Sequence, residues 1–311
     1  MIRWPLRILL GVGLLILLTG ALGRFSPLLD IINLAIVPVA FACVLLALIL
    51  LAISLKRGKA SKPMGIVLVI CLIVLFPLPD ARGSCAADAP RLRVTWLNAE
   101  GTTRIAPILA WIDAQHPDIA AFAEFKTGPT RLQEEMRRRF IADQDCLPTG
   151  TCSTRIFART TPLSSAGLTR GTVANRENLM ATRMRFDFDG EPLTILATHL
   201  PRPFPPGPQR EQLAELSTHV DDPANTIVLG DFNATRRMHT LRDFARANAL
   251  VSNPVGAGTW PLMLDGERTR PFVQIDQVLT GANWTVEGIR ATRNLGSDHR
   301  GIVAQLCRRT P

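Results

Sequence analysis

Three apolar runs, residues 6–22, 31–53 and 64–78, crowd the first eighty positions of this chain almost without charge. The middle run exceeds the ~20 residues that a helix needs to cross a bilayer, and the outer two approach that length. Three membrane spans are therefore expected within an anchor over 1–79. A cleaved signal peptide would explain only the first run, and a buried helical hairpin is the other alternative. A polar linker holding Gly83, Ser84 and Pro90 follows over 80–90, and 91–311 has the length of one large α/β domain.

Charge orients the anchor. Arg3 and Arg7 precede the first run, and Lys56, Arg57, Lys59 and Lys62 separate the second from the third, whereas the first connection holds only Arg24 and Asp30. The positive-inside rule then puts the N-terminus and the second connection in the cytoplasm. Three crossings leave the C-terminal domain outside it, in the periplasm of a cell with two membranes. The six cysteines agree with that side. Cys146 and Cys152 flank a five-residue loop, and Cys85 and Cys307 bracket the domain, a usage suited to disulfides outside the cytosol. Cys43 and Cys71 sit in apolar runs as packing residues, and four free thiols in the domain remain the alternative. Residues 1–79 carry +6 of the formal +9, so the domain keeps only +3, too little to argue a nucleic-acid footprint from charge.

The domain reads as alternating strands and helices. Val228-Leu-Gly-Asp-Phe-Asn-Ala234 ends an apolar strand in an acid and an amide, groups that cost several kcal/mol to bury unpaired. Other strands end the same way. Leu92, Val94 and Trp96 lead at period two to Asn98. Ile119 to Ala123 runs into Glu124, and Leu193, Ile195 and Ala197 lead to His199. Asp276 shares a face with Val278, and Asp298-His299 precede the last strand. Helices are expected over 102–115, capped by Thr102 or Thr103, and over 130–140, 209–219 and 241–249. Five prolines over 201–208 make a surface loop.

The collected set is Asn98, Glu124, His199, Asp231, Asn233, Asp276, Asp298 and His299. Taken singly, each has an ordinary explanation as a turn, cap or surface residue. Together they offer carboxylate and amide oxygens without thiolate, a donor set for a hard divalent cation, Mg2+ or Mn2+. Imidazoles beside acids add proton transfer. Hydrolysis of a phosphodiester calls for that combination.

The ordered motifs Trp96-Leu-Asn-Ala-Glu-Gly101, Asp118-Ile-Ala-Ala-Phe-Ala-Glu124, Thr198-His-Leu200, Gly230-Asp-Phe-Asn233, Gln274-Ile-Asp-Gln277 and Gly296-Ser-Asp-His299 resemble those of the endonuclease/exonuclease/phosphatase superfamily, with its deoxyribonuclease-I-like fold. The resemblance implies a four-layer α/β sandwich, two mixed β-sheets face to face flanked by helices. It also implies Mg2+ or Mn2+ as cofactor, held by Glu124 with Asn98 and Asp298, whereas Glu100 matches only some relatives. His299, oriented by Asp276, would be the general base or a phosphate-stabilising imidazole, and Asp231 competes for activating water. Asn233 and His199 would bind phosphate oxygens, with His199 able to protonate the leaving oxygen. Arg202, Arg236 and Arg237 follow motif residues and are candidates for binding anionic substrate.

The chain departs from apurinic endonucleases in carrying His199 where they have a tyrosine and Arg202 where they have an asparagine. It contains no tyrosine at all. The expected activity is a membrane-anchored phosphodiester hydrolase, a nuclease or phosphodiesterase acting on nucleic acid or a phospholipid head group, with no obligate protein partner. A non-catalytic ligand- or partner-binding module on the same fold is the alternative.

Overall fold

The computed structural model describes residues 3–57, 62–102, 104–124, 130–146, 153–168, 178–264 and 267–309. The chain forms two compact units, Met1–Leu78 with Arg237–Thr240, and Pro79–Arg236 with Leu241–Pro311.

The first unit holds α1 (Arg3–Ala21), α2 (Pro27–Asp30), α3 (Ile36–Leu55) and α4 (Lys62–Leu75). Two stretches, Trp4–Arg24 and Ile36–Leu55, are long and apolar enough to cross a membrane. The third expected span is shorter than its apolar run. The 14 residues of α4 rise about 21 Å, against a hydrocarbon core of ~30 Å. Pro77 and Pro79 lie just beyond its end and disfavour helix in the residues before them. The second span starts at Ile36 rather than 31, because Ile31–Leu34 is a 3-10 turn. Small residues let α1 and α3 approach closely: a Cβ at Gly13 would collide with Cys43 Sγ, and Ala40, Cys43 and Ala47 are buried along α3. Ile8, Leu45 and Ile73 each keep more than half their surface bare, part of an apolar exterior that water does not favour.

The second unit contains β1 (Arg91–Asn98), α5 (Ala106–Gln115), β2 (Ile119–Ala123), α6 (Arg131–Arg137), β3 (Ala142–Asp145), β4 (Arg155–Ala158), β5 (Ser164–Gly167), β6 (Met180–Phe188) and β7 (Glu191–His199). It continues with α7 (Pro206–Ser217), β8 (Thr226–Asp231), α8 (His239–Ala247, from Leu241 onwards in this unit), β9 (Val251–Ser252), β10 (Met263–Leu264), β11 (Glu267–Arg268), β12 (Asp276–Thr280), β13 (Trp284–Asn294) and β14 (Arg300–Arg308). Two six-stranded sheets run β13-β14-β1-β2-β4-β3 and β5-β6-β7-β8-β12-β9. Each is antiparallel except for one central parallel pair, β1 with β2 and β7 with β8. Both sheets are therefore mixed.

Period-two patterning explains the layers. Val94, Trp96, Ile119, Ala121 and Ala123 of one sheet share a buried cluster with Ile195, Ala197, Ile227, Leu229 and Val278 of the other. The sheets thus pack face to face. The alternate residues Leu97, Ala120 and Phe122 meet Ile108, Trp111 and Ile112 of α5 and Met136 of α6 on the outer face. Behind the second sheet, the Phe232 ring lies 6.0 Å from that of Phe244 on α8.

Three local expectations change. The helix expected from Thr102 starts at Ala106, with a proline in its first turn and no side-chain cap. Strand β13 was not expected, because a register shift between Val286 and Gly288 breaks its alternation. The 80–90 segment is a strap rather than a free linker. Ala81 N donates to Asn253 Oδ1 (2.9 Å), Val286 N donates to Ala81 O (2.8 Å), and Cys85 is disulfide-bonded to Cys307. Cys146 is also disulfide-bonded; its expected partner, Cys152, lies outside the described residues.

Candidate active site

The period that fills the core also builds the site. Asn98 follows Val94 and Trp96 on β1, His199 follows Ile195 and Ala197 on β7, and Asp231 follows Ile227 and Leu229 on β8. Asp276 precedes Val278 on β12. Each is the next inward position after an apolar one, so each points into the seam between the sheets where the core ends. Register brings the ends together. His199 pairs with Asp231 across the parallel β7–β8 ladder, and Asp231 pairs with Asp276 across β8–β12. Because β14 runs antiparallel to β1, with Ile302 opposite Trp96, His299 arrives at the same rim.

Two residues break the regular backbone there. Glu124 (φ 48°) and Asn233 (φ 47°) adopt the left-handed conformation, at roughly 1–3 kcal/mol each for residues with a Cβ. Gly230 must lack one, since a Cβ would come within 2.6 Å of Thr198 O.

A single hydrogen-bonded cluster results. Asn98 Nδ2 donates to Glu124 Oε1 (3.3 Å) and to Asp231 Oδ2 (3.1 Å), while its Oδ1 accepts from Glu100 N (3.0 Å). His199 Nε2 lies 3.6 Å from Glu124 Oε1 and 3.8 Å from Asp231 Oδ2. On the far side of Asp231, His299 Nε2 lies 3.7 Å from Oδ2 and 4.0 Å from Asp298 Oδ1. His299 Nδ1 donates to Asp276 Oδ2 at 2.8 Å, which leaves Nε2 turned towards Asp231. Asp231 Oδ1 accepts from Asn233 N (2.8 Å), and Asn233 Nδ2 donates to Leu200 O (2.9 Å).

Charge follows burial. Burial pulls the His299 imidazole down, but the charge and hydrogen bond of Asp276, with Asp231 and Asp298 behind it, outweigh that and push it up to about 10. Burial opposes ionisation of Asp276 too, yet His299 and the hydrogen bonds of Thr259 and Trp96 hold its carboxyl below the usual range. Burial raises Asp231, and the Asp276 charge adds to it. Burial also raises Asp298, reinforced by Glu100. Two carboxyls held up by burial and like charge mark a rim short of positive charge.

All eight residues of the sequence set reach this rim, though not all in the expected attitude. Asn98 turns its amide nitrogen, not its oxygen, to the carboxylates. The Asn233 amide is engaged by the turn it sits in. Asp231, Asp276 and His299 offer ligand-type atoms within 4.8 Å of one another, but both Asp276 oxygens are already engaged, so the trio is an orienting pair beside an acid. Arg202 is exposed. Arg236 donates to Pro79 O and Arg237 to Phe76 O, each at 2.7 Å, and neither shows a hydrogen bond to the cluster among the described residues.

The site also uses residues to which the sequence reading gave no role of their own. Ser297 Oγ donates to Asn98 O (2.7 Å) and accepts from His299 N (3.0 Å), tying two strand ends together. Trp260 Nε1 donates to Asp298 Oδ2 at 3.3 Å, its ring 6.5 Å from that of His299. Trp96 Nε1 donates to Asp276 Oδ1 at 2.8 Å. Ser297 could have been found from its place beside Asp298-His299, whereas nothing in the alternation of β1 marks Trp96 as more than core.

Two mixed sheets packed face to face, with an acid, amide and imidazole cluster at one rim, define an α/β sandwich. The sequence profile described as the Endonuclease/Exonuclease/phosphatase family matches residues 95–299. The chain belongs to that family. No curated protein sequence matches it.

Solved structures share the fold. An endonuclease/exonuclease/phosphatase from Beutenbergia cavernae DSM 12333 is 18% identical, with TM-score 0.56 over 70% of this chain and 72% of that one. TDP2 of D. rerio, complexed with single-strand DNA product, is 17% identical, with TM-score 0.55 over 70% of this chain and 98% of that one. The human Nocturnin catalytic domain with bound sulfate anion is 19% identical, with TM-score 0.54 over 71% of this chain and 94% of that one.

Proposed function

We propose that this chain is a membrane-tethered phosphodiester hydrolase, dependent on a divalent cation, whose second unit works outside the cytoplasm. The observation that carries the reading is the unbroken series of contacts, each under 4 Å, from Glu124 through Asn98 and Asp231 to His299. The donors suit a hard cation, Mg2+ or Mn2+. They are oxygens without thiolate, and burial and like charge hold up two of the carboxyls nearby. Glu124 and Asp298 would hold the ion, and Asn98 keeps the Glu124 and Asp231 carboxylates in register. When bound, the ion supplies Lewis-acid stabilisation of charge on the phosphoryl group.

The remaining work belongs to the protein. His299, held cationic by Asp276, offers its Nε2 proton to a phosphoryl oxygen. Asp231, fixed through one oxygen by Asn233 N, is the base that takes the proton of an attacking water. His199 Nε2, facing both Glu124 and Asp231, is placed to protonate the leaving oxygen. The pushed-up imidazole favours this division over His299 as base, because a cation has no lone pair with which to accept a proton.

Nucleic acid and phospholipid head groups both carry the required linkage. The D. rerio TDP2 complex, which contains DNA, supports the first, and an apolar anchor on the same chain supports the second. The test uses the full-length protein in nanodiscs with Mg2+ or Mn2+, on bis-p-nitrophenyl phosphate, DNA and phospholipid vesicles. Turnover on at least one substrate, lost on chelation and restored by the metal, is expected. Absence of metal-dependent turnover on the whole panel, with metal binding retained, would favour a non-catalytic binding module.

A further inference from the structure

Trp96 sits in the middle of the inter-sheet core, on β1, and is fully buried. Its period-two neighbours Val94 and Asn98 bracket it, and it pairs in register with Ile302 and Ala121. Packing alone would account for a large side chain here, but not for where the indole nitrogen goes. It donates to Asp276 Oδ1 at 2.8 Å, across the seam, from a strand of one sheet to a strand of the other. Other buried indoles in this unit do no such thing: among the described residues, Trp111 Nε1 and Trp284 Nε1 have no hydrogen-bond partner. An acceptor thus sets Trp96 apart from the buried Trp111 and Trp284.

The consequence falls on the other oxygen of Asp276. A carboxylate can rotate about its terminal torsion, which is broad and roughly two-fold. With Oδ1 tied to Trp96, Oδ2 is held where His299 Nδ1 donates to it at 2.8 Å. That bond in turn directs His299 Nε2 towards Asp231. We infer that Trp96 is a positioning residue of the hydrolytic site: its indole N–H fixes the Asp276 carboxylate and, through it, the orientation of the His299 imidazole. Facing sheets lie ~10 Å apart, and the long rigid indole reaches across where a serine or threonine donor at position 96 would fall short. The inference rests on the reading of His299 as a working group of a phosphodiesterase.

The test replaces Trp96 in the full-length protein with β-(3-benzothienyl)alanine, which keeps the ring volume and has sulfur in place of N–H, and in parallel with phenylalanine (Trp96→Phe). The isostere is expected to lower kcat about tenfold at unchanged KM, with the same far-ultraviolet circular dichroism as the parent. In an Asp276→Ala background the same replacement should cost nothing further, because the residue acts only through Asp276. An isostere that turns over at the parent rate, or a loss that persists in the Asp276→Ala background, overturns the inference. Nitrogen-15 spectra of His299 give a readout independent of turnover. The hydrogen-bonded Nδ1 proton of the parent should broaden or vanish in the isostere, and its persistence unchanged also overturns the inference. A parent protein without turnover would instead count against the proposed activity, leaving the spectra to decide the contact.

Discussion

At the scale of single residues, the proposed mechanism asks for one imidazole kept charged and one carboxylate kept accessible. Glu124 retains 30% of its side-chain exposure while His299 is nearly enclosed, at 3%. Replacing Glu124 by Gln keeps the shape and removes the charge; replacing His299 by Ala removes the donor. Each should reduce kcat on the order of 10²- to 10³-fold while the thermal unfolding profile still shows one cooperative transition. Near-parent rates in either variant would refute the assigned roles. The raised His299 also bears on stability. Its folded value, about 10, lies above its ordinary 6.5, so the imidazolium's contribution is complete below about pH 6.5 and is lost as pH rises through about 10. In chelated protein, the melting temperature of the parent should therefore fall from pH 7 to 10. His299→Gln should show a flatter slope over that window. Equal slopes would exclude the ion pair as the cause.

At the scale of elements, strand parity does most of the positioning, and the strap completes the domain. The strap bridges the two sheet edges, bonding to Asn253 beyond β9 and to Val286 on β13, and the Cys85–Cys307 disulfide closes a loop with sequence separation 222. Removing a disulfide that closes so long a loop costs about 2–5 kcal/mol in small domains. Cys85→Ser should lower the unfolding midpoint of this domain in denaturant, and dithiothreitol should do the same to the parent protein. A midpoint indifferent to both would mean that the strap is held by its backbone bonds alone. The strands that carry the site, β1, β2, β7, β8, β12 and β14, were legible from apolar runs or alternation. β13 was not, because its bulge shifts the face mid-strand, and the start of α5 was misplaced because no side chain caps it.

At the scale of the whole molecule, on the proposed membrane anchoring, the number of crossings would decide which side the second unit faces. Among the described residues, two helices have full spanning length, and α4 with 14 residues does not. Two crossings would return the domain to the cytoplasm; a third puts it outside. The disulfides favour the third crossing, since such bonds persist in oxidising compartments. Protease added to intact spheroplasts should therefore digest the second unit, while a tag at the N-terminus stays protected. Protection of the second unit would reverse the proposed topology. A salt titration then separates the substrates: activity on DNA should weaken steeply as salt rises, with a slope set by the number of phosphates contacted, whereas hydrolysis of lipid should respond chiefly to vesicle composition.

The sequence by itself determined the chemistry on offer and the direction in which it faces. Period-two strands ending in Asn98, His199 and Asp231 specify that polar groups continue the inward stripe, and six motifs in order specify the family. Alternation says which face of a strand a side chain occupies, but it cannot say which atom waits across a gap of ~10 Å between two sheets. That was left to the tertiary structure. It turned the Asn98 amide nitrogen towards the acids, engaged Arg236 and Arg237 with backbone carbonyls, and joined Trp96 on one sheet to Asp276 on the other. Those pairings depend on long-range packing, in which residues 180 positions apart become neighbours.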